Sequence, residues 1–353
     1  MMNLYDIIAY REEVKAIAPQ MDKEFLRGKK IFISGATGMI ASFLIDTLLY
    51  DLNFEITIYA LARSSSSFEE RFNSYINDQR FIPIIADVQN PVTLSEKVDY
   101  VIHAASYTDP KNYAAHPIDT MLINFLGTKN LLDFATINRA VFMLLSTCEV
   151  YGEGKGVAIS EDDYGYLDPL KVRNTYNESK RASETLAVAY SNEKNVKVLL
   201  PRLSRVFGPT MHLDDSKALS QFMKNAVNSE NIILKSSGQQ LYSYTYVADA
   251  VLALVHVLQH GENQTAYNIA HPDVYSLKNM AEIIADLSGV KVVILPQDDF
   301  AGRGYSLATN AIQNITRLQK LGWKPLFSIK EGLEHTLLIL KERIHHENSR
   351  NRR

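Results

Sequence analysis

The sequence predicts an α/β fold, in which a doubly wound parallel sheet with helices on both faces is followed by a smaller α/β region. Two observations support this prediction. Up to residue 200, short apolar strands alternate with longer helical segments, a pattern typical of a parallel sheet built from βαβ units. From Pro201 onward the alternation is less regular and glycines interrupt the chain, which indicates a second structural unit.

The composition is that of an ordinary globular protein. Of its 353 residues, 46% are hydrophobic and 22% are charged. The net charge of -3 gives no general attraction to nucleic acid or to a membrane surface. The single cysteine, Cys148, excludes an internal disulfide and a multi-cysteine zinc site, so we predict no metal centre. A charged N-terminus and the lack of an apolar run of about 18 residues lead us to expect a cytoplasmic protein.

Residues 1–27 precede the first strand and predict an amphipathic helical extension. Leu4, Ile7, Ile8 and Tyr10 recur at helical spacing and form its predicted buried side. We find no residue in this extension that suggests chemistry.

Residues 28–200 are predicted to form a dinucleotide-binding domain of the Rossmann type. The strand Lys30–Ser34 leads directly into a glycine-rich turn and then into the apolar helix Ser42–Leu49. Glycines allow the backbone to approach a pyrophosphate closely, and the helix N-terminus presents N–H groups to it. The predicted contacts of the cofactor in this turn are Gly35, Thr37, Gly38, Met39 and Ile40.

The second strand, Ile56–Leu61, bears on the choice between NAD and NADP. An acidic residue at its end would bind the ribose hydroxyls of NAD, but the chain continues Ala62-Arg63 and then four serines. Arg63 offers a charge-assisted partner for the 2′-phosphate of NADP. The sequence leaves both cofactors open, with Arg63 favouring NADP.

Three further strands complete the predicted sheet. They are Phe81–Ala86, Tyr100–Ala104 and Val141–Ser146, and the long helix Pro117–Thr136 lies between the last two. Asp87 follows the third strand of the sheet directly, where a carboxylate can bind the adenine edge of the cofactor.

Tyr176 and Lys180 form the candidate catalytic pair. They lie four residues apart in a predicted helix, Thr175–Tyr190, and therefore on one face of it. A free tyrosine has a pKa near ~10 and is a poor base. Because a neighbouring cation favours the phenolate, the pair predicts a base that carries its own activator.

The region 201–345 is predicted to be mainly a substrate domain, with some segments returning to the first sheet. Amphipathic helices are expected near Ala248–Leu258, Leu277–Leu287 and Ile329–Ile344. The terminal stretch His345–Arg353 is polar and basic, and we expect it to be frayed.

Taken together, six motifs resemble the extended short-chain dehydrogenase/reductase family, whose members act on nucleotide-linked sugars. The likeness runs from about Lys29 to Leu340. The motifs are SGATGMIA, Asp87-Val88, His103-Ala104-Ala105, Asn124-x-x-Gly127-Thr128-x-Asn130, Ser146-Thr147-Cys148-Glu149-Val150-Tyr151-Gly152 and Tyr176-x-x-x-Lys180.

The resemblance implies roles for individual residues. Thr147 stands where the family has its catalytic Ser or Thr, Tyr176 takes the proton of the sugar 4-hydroxyl, and Lys180 holds the nicotinamide ribose. Asn124 supports that network. The further cofactor contacts implied are Val88, Ala104, Ala105 and Arg202.

The resemblance implies that Glu149 narrows the choice among the reactions of this family. Members that only epimerise C4 usually lack an acid here, whereas 4,6-dehydratases and UDP-glucuronate decarboxylases have glutamate. The dehydratases place an aspartate just before it and the decarboxylases a serine, for which Cys148 is the closer isostere. Further likeness to the decarboxylases lies in Asp109-Pro110-Lys111-Asn112-Tyr113, YNESKRASE, Phe207-Gly208-Pro209-Thr210-Met211-His212 and Arg303. The implied substrate contacts are Tyr113, Cys148, Arg205, Tyr242 and Arg303.

Two departures from the family concern the substrate. The family's arginine ligand of the sugar diphosphate is Tyr242 here, and Ser204-Arg205-Val206 stands where the decarboxylases read Phe-Asn-Thr. Arg205 either restores the missing positive charge or is a structural cation.

The sequence therefore favours an enzyme that oxidises C4 of a nucleotide-diphosphate sugar and then acts at C5 or C6. The alternatives are a 4-epimerase, a 4,6-dehydratase, an NADPH-dependent 4-ketoreductase and, from another class, a cofactor-sensing protein without catalysis. We also expect a homodimer formed by the helices Pro117–Thr136 and Thr175–Tyr190. Met121, Leu122, Phe125 and Leu132 are its predicted apolar contacts.

Overall fold

The computed structural model describes residues 4–50, 55–153, 158–295 and 310–350. Its strands are β1 (Lys30–Ser34), β2 (Thr57–Ala62), β3 (Phe81–Ile85), β4 (Tyr100–His103), β5 (Val141–Leu144), β6 (Ser146–Thr147), β7 (Val198–Leu203), β8 (Arg205–Phe207), β9 (Ile232–Leu234), β10 (Leu241–Tyr246), β11 (Thr265–Ile269), β12 (Val274–Ser276), β13 (Val292–Ile294) and β14 (Asn310–Ala311). Its α-helices are α1 (Ile8–Ile17), α2 (Lys23–Leu26), α3 (Met39–Leu49), α4 (Ser65–Phe72), α5 (Pro110–Ala115), α6 (Pro117–Asn138), α7 (Thr175–Lys194), α8 (Ala218–Val227), α9 (Val247–His260), α10 (Leu277–Ser288), α11 (Thr316–Lys320) and α12 (Ile329–Arg350).

The main sheet is parallel and has the strand order β11-β7-β5-β4-β1-β2-β3, with β6 paired to β7. The order reverses at β1, because β2 follows on one side and β4 on the other. Ligands of open α/β sheets bind at such a switch point, outside the carboxyl ends of the strands. The predicted doubly wound fold is confirmed.

Both faces of this sheet are buried. On β1, Ile31 and Ile33 enter one hydrophobic cluster, and Phe32 between them enters the other. Side chains of α3 and α9 belong to the first cluster, whereas side chains of α6 and α7 belong to the second. The continuous apolar character of the strands follows from this double coverage.

A second, four-stranded sheet lies in the C-terminal region. Strand β10 pairs in parallel with β8 and β14 and antiparallel with β12. Strand β11 returns from this region to the edge of the main sheet beside β7. The pairing of β10 with β8 fixes the part of the site described below, because β8 directly follows β7.

The N-terminal extension is helical, and its buried side is largely the predicted one. Leu4, Ile7 and Tyr10 are buried. The prediction is wrong for Ile8, which is 66% exposed. The helix α1 begins only at Ile8, so the preceding residues do not follow its spacing and Val14 takes the inward position one turn after Tyr10.

The last helix is longer than predicted. Helix α12 continues to Arg350, so the expectation that the chain frays from His345 is wrong for the residues described. No helix in the described ranges combines the length and the apolar character that a membrane span requires.

Candidate active site

Two adjoining cavities lie at the carboxyl ends of the main strands. The larger has a volume of about 1380 Å³ and the smaller about 510 Å³. Both touch Gly35, Gly38 and Met39, which come directly after β1. The larger cavity extends to the second sheet through Arg205 and Tyr242. The cavities therefore lie at the switch point and connect the two halves of the chain.

The glycine turn is shaped for close backbone approach. Gly35 has φ +66°, and a Cβ there would lie 2.7 Å from the backbone of Ala105. Gly38 caps the N-terminus of α3, and the Thr210 hydroxyl donates to the Met39 carbonyl at 2.9 Å. The structure brings Gly35, Thr37, Gly38 and Met39 to the smaller cavity and Ile40 to the larger one. Only glycine at position 35 leaves room for the neighbouring loop.

The smaller cavity also collects further residues predicted to bind the cofactor. It is lined by Arg63, Asp87, Val88, Ala104 and Ala105. The Arg63 guanidinium donates to the Tyr107 hydroxyl at 2.9 Å and lies 5.2 Å from the centre of its ring. A glycine cradle beside a helix N-terminus, with an arginine and an aspartate farther along, fits a nicotinamide dinucleotide.

Tyr176 and Lys180 lie on one face of α7, as predicted, and both line the larger cavity. The ring of Tyr176 stacks on Tyr113, with centroids 5.3 Å apart and planes 11° from parallel. The Lys180 ammonium donates to the Leu145 carbonyl at 2.9 Å, and this bond directs the lysine to the end of β5.

The predicted activation of Tyr176 by Lys180 is not seen in its pKa. Burial raises the pKa of Tyr176 above its ordinary value, and the hydrogen bond with Thr147 offsets only part of this rise. Burial also lowers the pKa of Lys180 to about 8. In the protein alone desolvation is the largest influence on the phenol, and its activation by Lys180 stays a prediction.

Neighbouring side chains hold the carboxylate of Glu149 in the larger cavity. Its carboxylate accepts from Arg173 at 2.9 Å and from Asn177 at 3.3 Å, and Arg205 lies 3.8 Å away. The backbone N–H of Glu149 donates to the Thr147 hydroxyl at 3.2 Å, which ties it to one of the predicted catalytic residues.

The charge of Glu149 is stabilised despite burial. Burial raises the pKa of this carboxyl, but the guanidinium groups of Arg173 and Arg205 outweigh that effect and hold the pKa below its ordinary value. Beside it, burial raises the pKa of the Cys148 thiol to about 11. At neutral pH the site thus contains an ionised carboxylate and a neutral thiol.

The predicted substrate residues that the structure describes all line the larger cavity. These are Tyr113, Cys148, Arg205 and Tyr242. The guanidinium of Arg205 lies 3.6 Å from the centre of the Tyr242 ring. Arg303 lies outside the described residues.

Two predicted cofactor residues do not line either cavity. The Asn124 amide is fully buried and donates to the Ser179 hydroxyl at 2.9 Å, so it joins α6 to α7. Arg202 forms a two-bond ion pair with Glu184, at 3.0 and 2.7 Å. The Asn124 side-chain oxygen makes no hydrogen bond among the residues described, and the cofactor contact of both residues stays a prediction.

Sequence reasoning missed Arg173 and Asn177. They lie four residues apart, Arg173 in the turn just before α7 and Asn177 in its first turn, and Arg173 donates to Asn177 at 2.9 Å as well as to Glu149. The available signal was the position of both polar residues directly around the start of the helix that carries Tyr176 and Lys180. The partner carboxylate lies 24 residues before Arg173 in the chain, and only the fold brings it near.

The switch-point cavities, the glycine cradle and the Tyr-x-x-x-Lys pair define an extended short-chain dehydrogenase/reductase. Residues 31–270 match the family model described as the NAD dependent epimerase/dehydratase family. The chain belongs to this family, and a nicotinamide dinucleotide is therefore its cofactor.

The chain is also similar to curated proteins over most of its length. It is 31% identical to UDP-glucuronic acid decarboxylase 1 of Xenopus tropicalis over 90% of this chain and 74% of that protein. It is 30% identical to UDP-glucuronic acid decarboxylase 5 of Arabidopsis thaliana over 90% of this chain and 91% of that protein.

Solved structures share the fold. An epimerase of Methanothermobacter thermautotrophicus matches with a TM-score of 0.79 and 21% identity, over 94% of this chain and 97% of that one. The UDP-glucuronic acid 4-epimerase of Bacillus cereus, solved with UDP-glucuronic acid and NAD, matches with a TM-score of 0.76 and 22% identity, over 89% of this chain and 99% of that one.

Proposed function

We propose that this protein oxidises C4 of a nucleotide-diphosphate sugar and then removes the C6 carboxyl group, as a UDP-glucuronate decarboxylase does. The observation that carries the proposal is the ionised carboxylate of Glu149, held by Arg173 and Arg205 beside Thr147 and Tyr176. The similarity to decarboxylases over nine-tenths of the chain supports it.

In the first step the residues of this chain remove a proton from the C4 hydroxyl. Thr147 and Tyr176 are hydrogen-bonded to each other, so Thr147 orients the sugar hydroxyl while its proton passes to the phenolate oxygen of Tyr176, which becomes the phenol. A nicotinamide bound in the neighbouring cavity would supply the acceptor for the C4 hydride and the donor for its return. The cation of Lys180 lies on the same helix face and favours the phenolate form needed here.

The second step acts on C5 and C6. The new C4 carbonyl takes up the electron pair of the C5–C6 bond, so carbon dioxide leaves and an enolate forms. A proton from water must then reach C5 before the hydride returns to C4. Glu149 is the carboxylate placed to relay that proton, because it is ionised at rest and lies in the same cavity.

Cys148 argues against the dehydratase alternative. A dehydratase needs an acid to protonate the departing 6-hydroxyl. The pKa of the Cys148 thiol is about 11, so this group is a weak proton donor at neutral pH. The reactions of a 4-epimerase and of a 4-ketoreductase take place at C4 alone and give the Glu149 carboxylate no chemical role.

A panel of nucleotide sugars tests the proposal. The purified protein is incubated with NAD and, in separate reactions, with UDP-glucuronate, UDP-glucose and dTDP-glucose, and the products are separated by chromatography and weighed by mass spectrometry. We expect the loss of one carbon dioxide from UDP-glucuronate alone. Loss of one water from a neutral sugar, or an epimer of unchanged mass, would contradict it.

We further infer a homodimer in the cytoplasm. Ile118, Met121, Leu122 and Phe125 on α6 are all exposed, between 38% and 72%. Apolar side chains grouped on one helix support a contact with a second copy. Leu132 does not belong to this surface, because it is fully buried in the protein's own core. The location follows from the sequence, whose single cysteine suits a reducing compartment.

A further inference from the structure

Arg205 lies where the second sheet borders the larger cavity. Strand β8 pairs with β10 so that Arg205 is directly opposite Tyr244. The Arg205 guanidinium lies against the Tyr242 ring, 3.6 Å from its centre. All three side chains line the cavity. Arg205 is thus held by an aromatic face, a contact that restricts a guanidinium while leaving its edge available for hydrogen bonds.

Two polar groups at this place have no protein partner. Among the residues described, no acceptor lies within hydrogen-bond distance of Arg205 Nη1, and the Tyr244 hydroxyl is likewise unpartnered although Tyr244 is 1% exposed. Buried donors in native proteins are usually paired. Arg205 and Tyr244 lie on adjacent strands and both residues line the cavity, so a ligand bound there can supply the missing acceptor.

The charges around Glu149 favour an anion as that ligand. Arg173 is hydrogen-bonded to the Glu149 carboxylate at 2.9 Å, whereas Arg205 is 3.8 Å from it and makes no such bond. One carboxylate thus faces two guanidinium groups, which leaves one positive charge in excess. A second carboxylate would balance it and would accept from both Arg205 and Tyr244.

The position of Arg205 and Tyr244 in the cavity determines which anionic group of the substrate they contact. Arg205 lies beside Glu149. The Glu149 N–H donates to the Thr147 hydroxyl, and Thr147 is hydrogen-bonded to Tyr176, the proposed base for C4 oxidation. In a pyranose ring the carboxyl on C5 is next to C4. The diphosphate is attached to C1, at the opposite corner of the ring. A group beside the C4 chemistry therefore meets the sugar carboxylate.

We propose that Arg205 and Tyr244 form the pocket for the sugar carboxylate, and that they select a nucleotide-linked uronate over the neutral sugar. The proposal rests on the function proposed above and gives these two residues the specificity-determining role. Tyr242 is a positioning residue, because it holds the guanidinium plane toward the ligand.

Calorimetric titration of NAD-loaded protein tests this assignment. The ligands are UDP, UDP-glucose and UDP-glucuronate, and the Tyr176→Phe background keeps them from being consumed. We expect Arg205→Gln to weaken UDP-glucuronate about 30-fold and Tyr244→Phe about fivefold, as for lost charged and neutral hydrogen bonds. UDP and UDP-glucose should change less than about twofold, since neither has the ring carboxylate.

Matched variants separate this role from a structural one. Lys278→Gln removes a cation of the same region that pairs with Glu282, and it should leave the preference for UDP-glucuronate unchanged. Arg205→Lys keeps the charge and should recover part of the affinity. Tyr242→Leu should weaken UDP-glucuronate selectively, while Tyr242→Phe, which keeps the ring, should not. Circular dichroism checks that each variant is folded.

The outcomes separate the possible roles of Arg205. Equal weakening of all three ligands would assign Arg205 to the diphosphate, and no weakening would make it a structural cation; either result overturns the proposal. Release of carbon dioxide by the unmodified protein is measured in parallel. Selective loss of UDP-glucuronate binding without any such release would support the carboxylate pocket and reject the proposed decarboxylation.

Discussion

At the scale of single residues, the behaviour of Tyr176 depends on what surrounds its ring. The phenol is 8% exposed and stacks on Tyr113, so its charged form is poorly solvated and its pKa is raised. Thr147 is the neighbour that lowers this pKa. A residue with so high a pKa can act as a base only when the substrate hydroxyl and a nearby cation share the charge.

Tyr176→Phe should abolish hydride transfer and leave cofactor binding intact. The change removes the proton acceptor and keeps the ring that packs on Tyr113. Loss of a positioned base costs about 10²- to 10⁴-fold in rate. Stopped-flow absorbance of the reduced nicotinamide measures the effect, and a variant within about threefold of the unmodified protein would show that Tyr176 is not the base.

Arg63→Ala should weaken NADP by about tenfold or more and NAD by much less. Only NADP has a 2′-phosphate to bind the guanidinium, which lies at the smaller cavity beside Tyr107. Calorimetry with both cofactors provides the comparison. Tyr107→Phe removes only the hydroxyl partner and is the control. If Arg63→Ala weakens the two cofactors equally, Arg63 is an ordinary surface cation and does not bind the 2′-phosphate.

The site residues that the sequence could predict are those placed by local geometry. Tyr176 and Lys180 follow from helical spacing, and Gly35 from the turn between a strand and a helix. The partners of Arg202 and Asn124, Glu184 and Ser179, lie on α7 and are known only from the fold. Arg173 was missed for the same reason, since its carboxylate partner is on another element.

At the scale of elements, helix α1 connects distant parts of the chain. Tyr10 on α1 donates to Asp46 on α3, and Glu13 accepts from Tyr246 at the end of β10. Glu13 also forms an ion pair with His335 on α12 at 2.8 Å. The extension therefore stabilises the contact between the main sheet and the C-terminal helices, which its sequence pattern alone did not indicate.

His335→Gln should reduce stability more in acid than in base. The interaction with Glu13 raises the pKa of His335 in the folded protein. The stabilisation is complete below the ordinary histidine pKa of ~6.5 and is lost as the pH rises through the folded value. The side chain is 37% exposed, so solvent screening limits the effect to less than about 1 kcal/mol.

Thermal unfolding of both proteins, below pH ~6 and near pH ~9, measures this difference. In the His335→Gln background, a further Glu13→Gln change should add no pH dependence in this range. An equal loss of stability at both pH values would mean that His335 contributes packing and not charge.

At the scale of the whole molecule, the type of the main sheet could be predicted from the sequence, whereas the contacts between the two regions of the chain could not. Alternating strands and helices together with the glycine turn fix a doubly wound sheet, and the structure has it. The return of β11 to the main sheet involves short segments whose pairing depends on long-range contacts. The division of the chain at residues 27, 200 and 345 stays a prediction.

Light scattering should report a particle of twice 39.9 kDa at micromolar concentration. The exposed side chains of α6, Met121, Leu122 and Phe125, would be buried in this contact. Replacing Met121 and Phe125 by Lys should give a folded monomer, because charges are excluded from such interfaces. A monomer for the unmodified protein would refute the dimer.

Glu149→Gln in a single-turnover experiment tests the central claim, that this site acts on the sugar beyond hydride transfer. A carboxylate beside the reacting ring is costly to desolvate, so a site limited to hydride transfer gains nothing from it. With UDP-glucuronate and bound NAD, we expect the variant to oxidise C4 and then accumulate reduced cofactor and the 4-keto sugar, without finished product. Completion at the unmodified rate would contradict the decarboxylase and dehydratase assignments together, and would favour a 4-epimerase or a 4-ketoreductase.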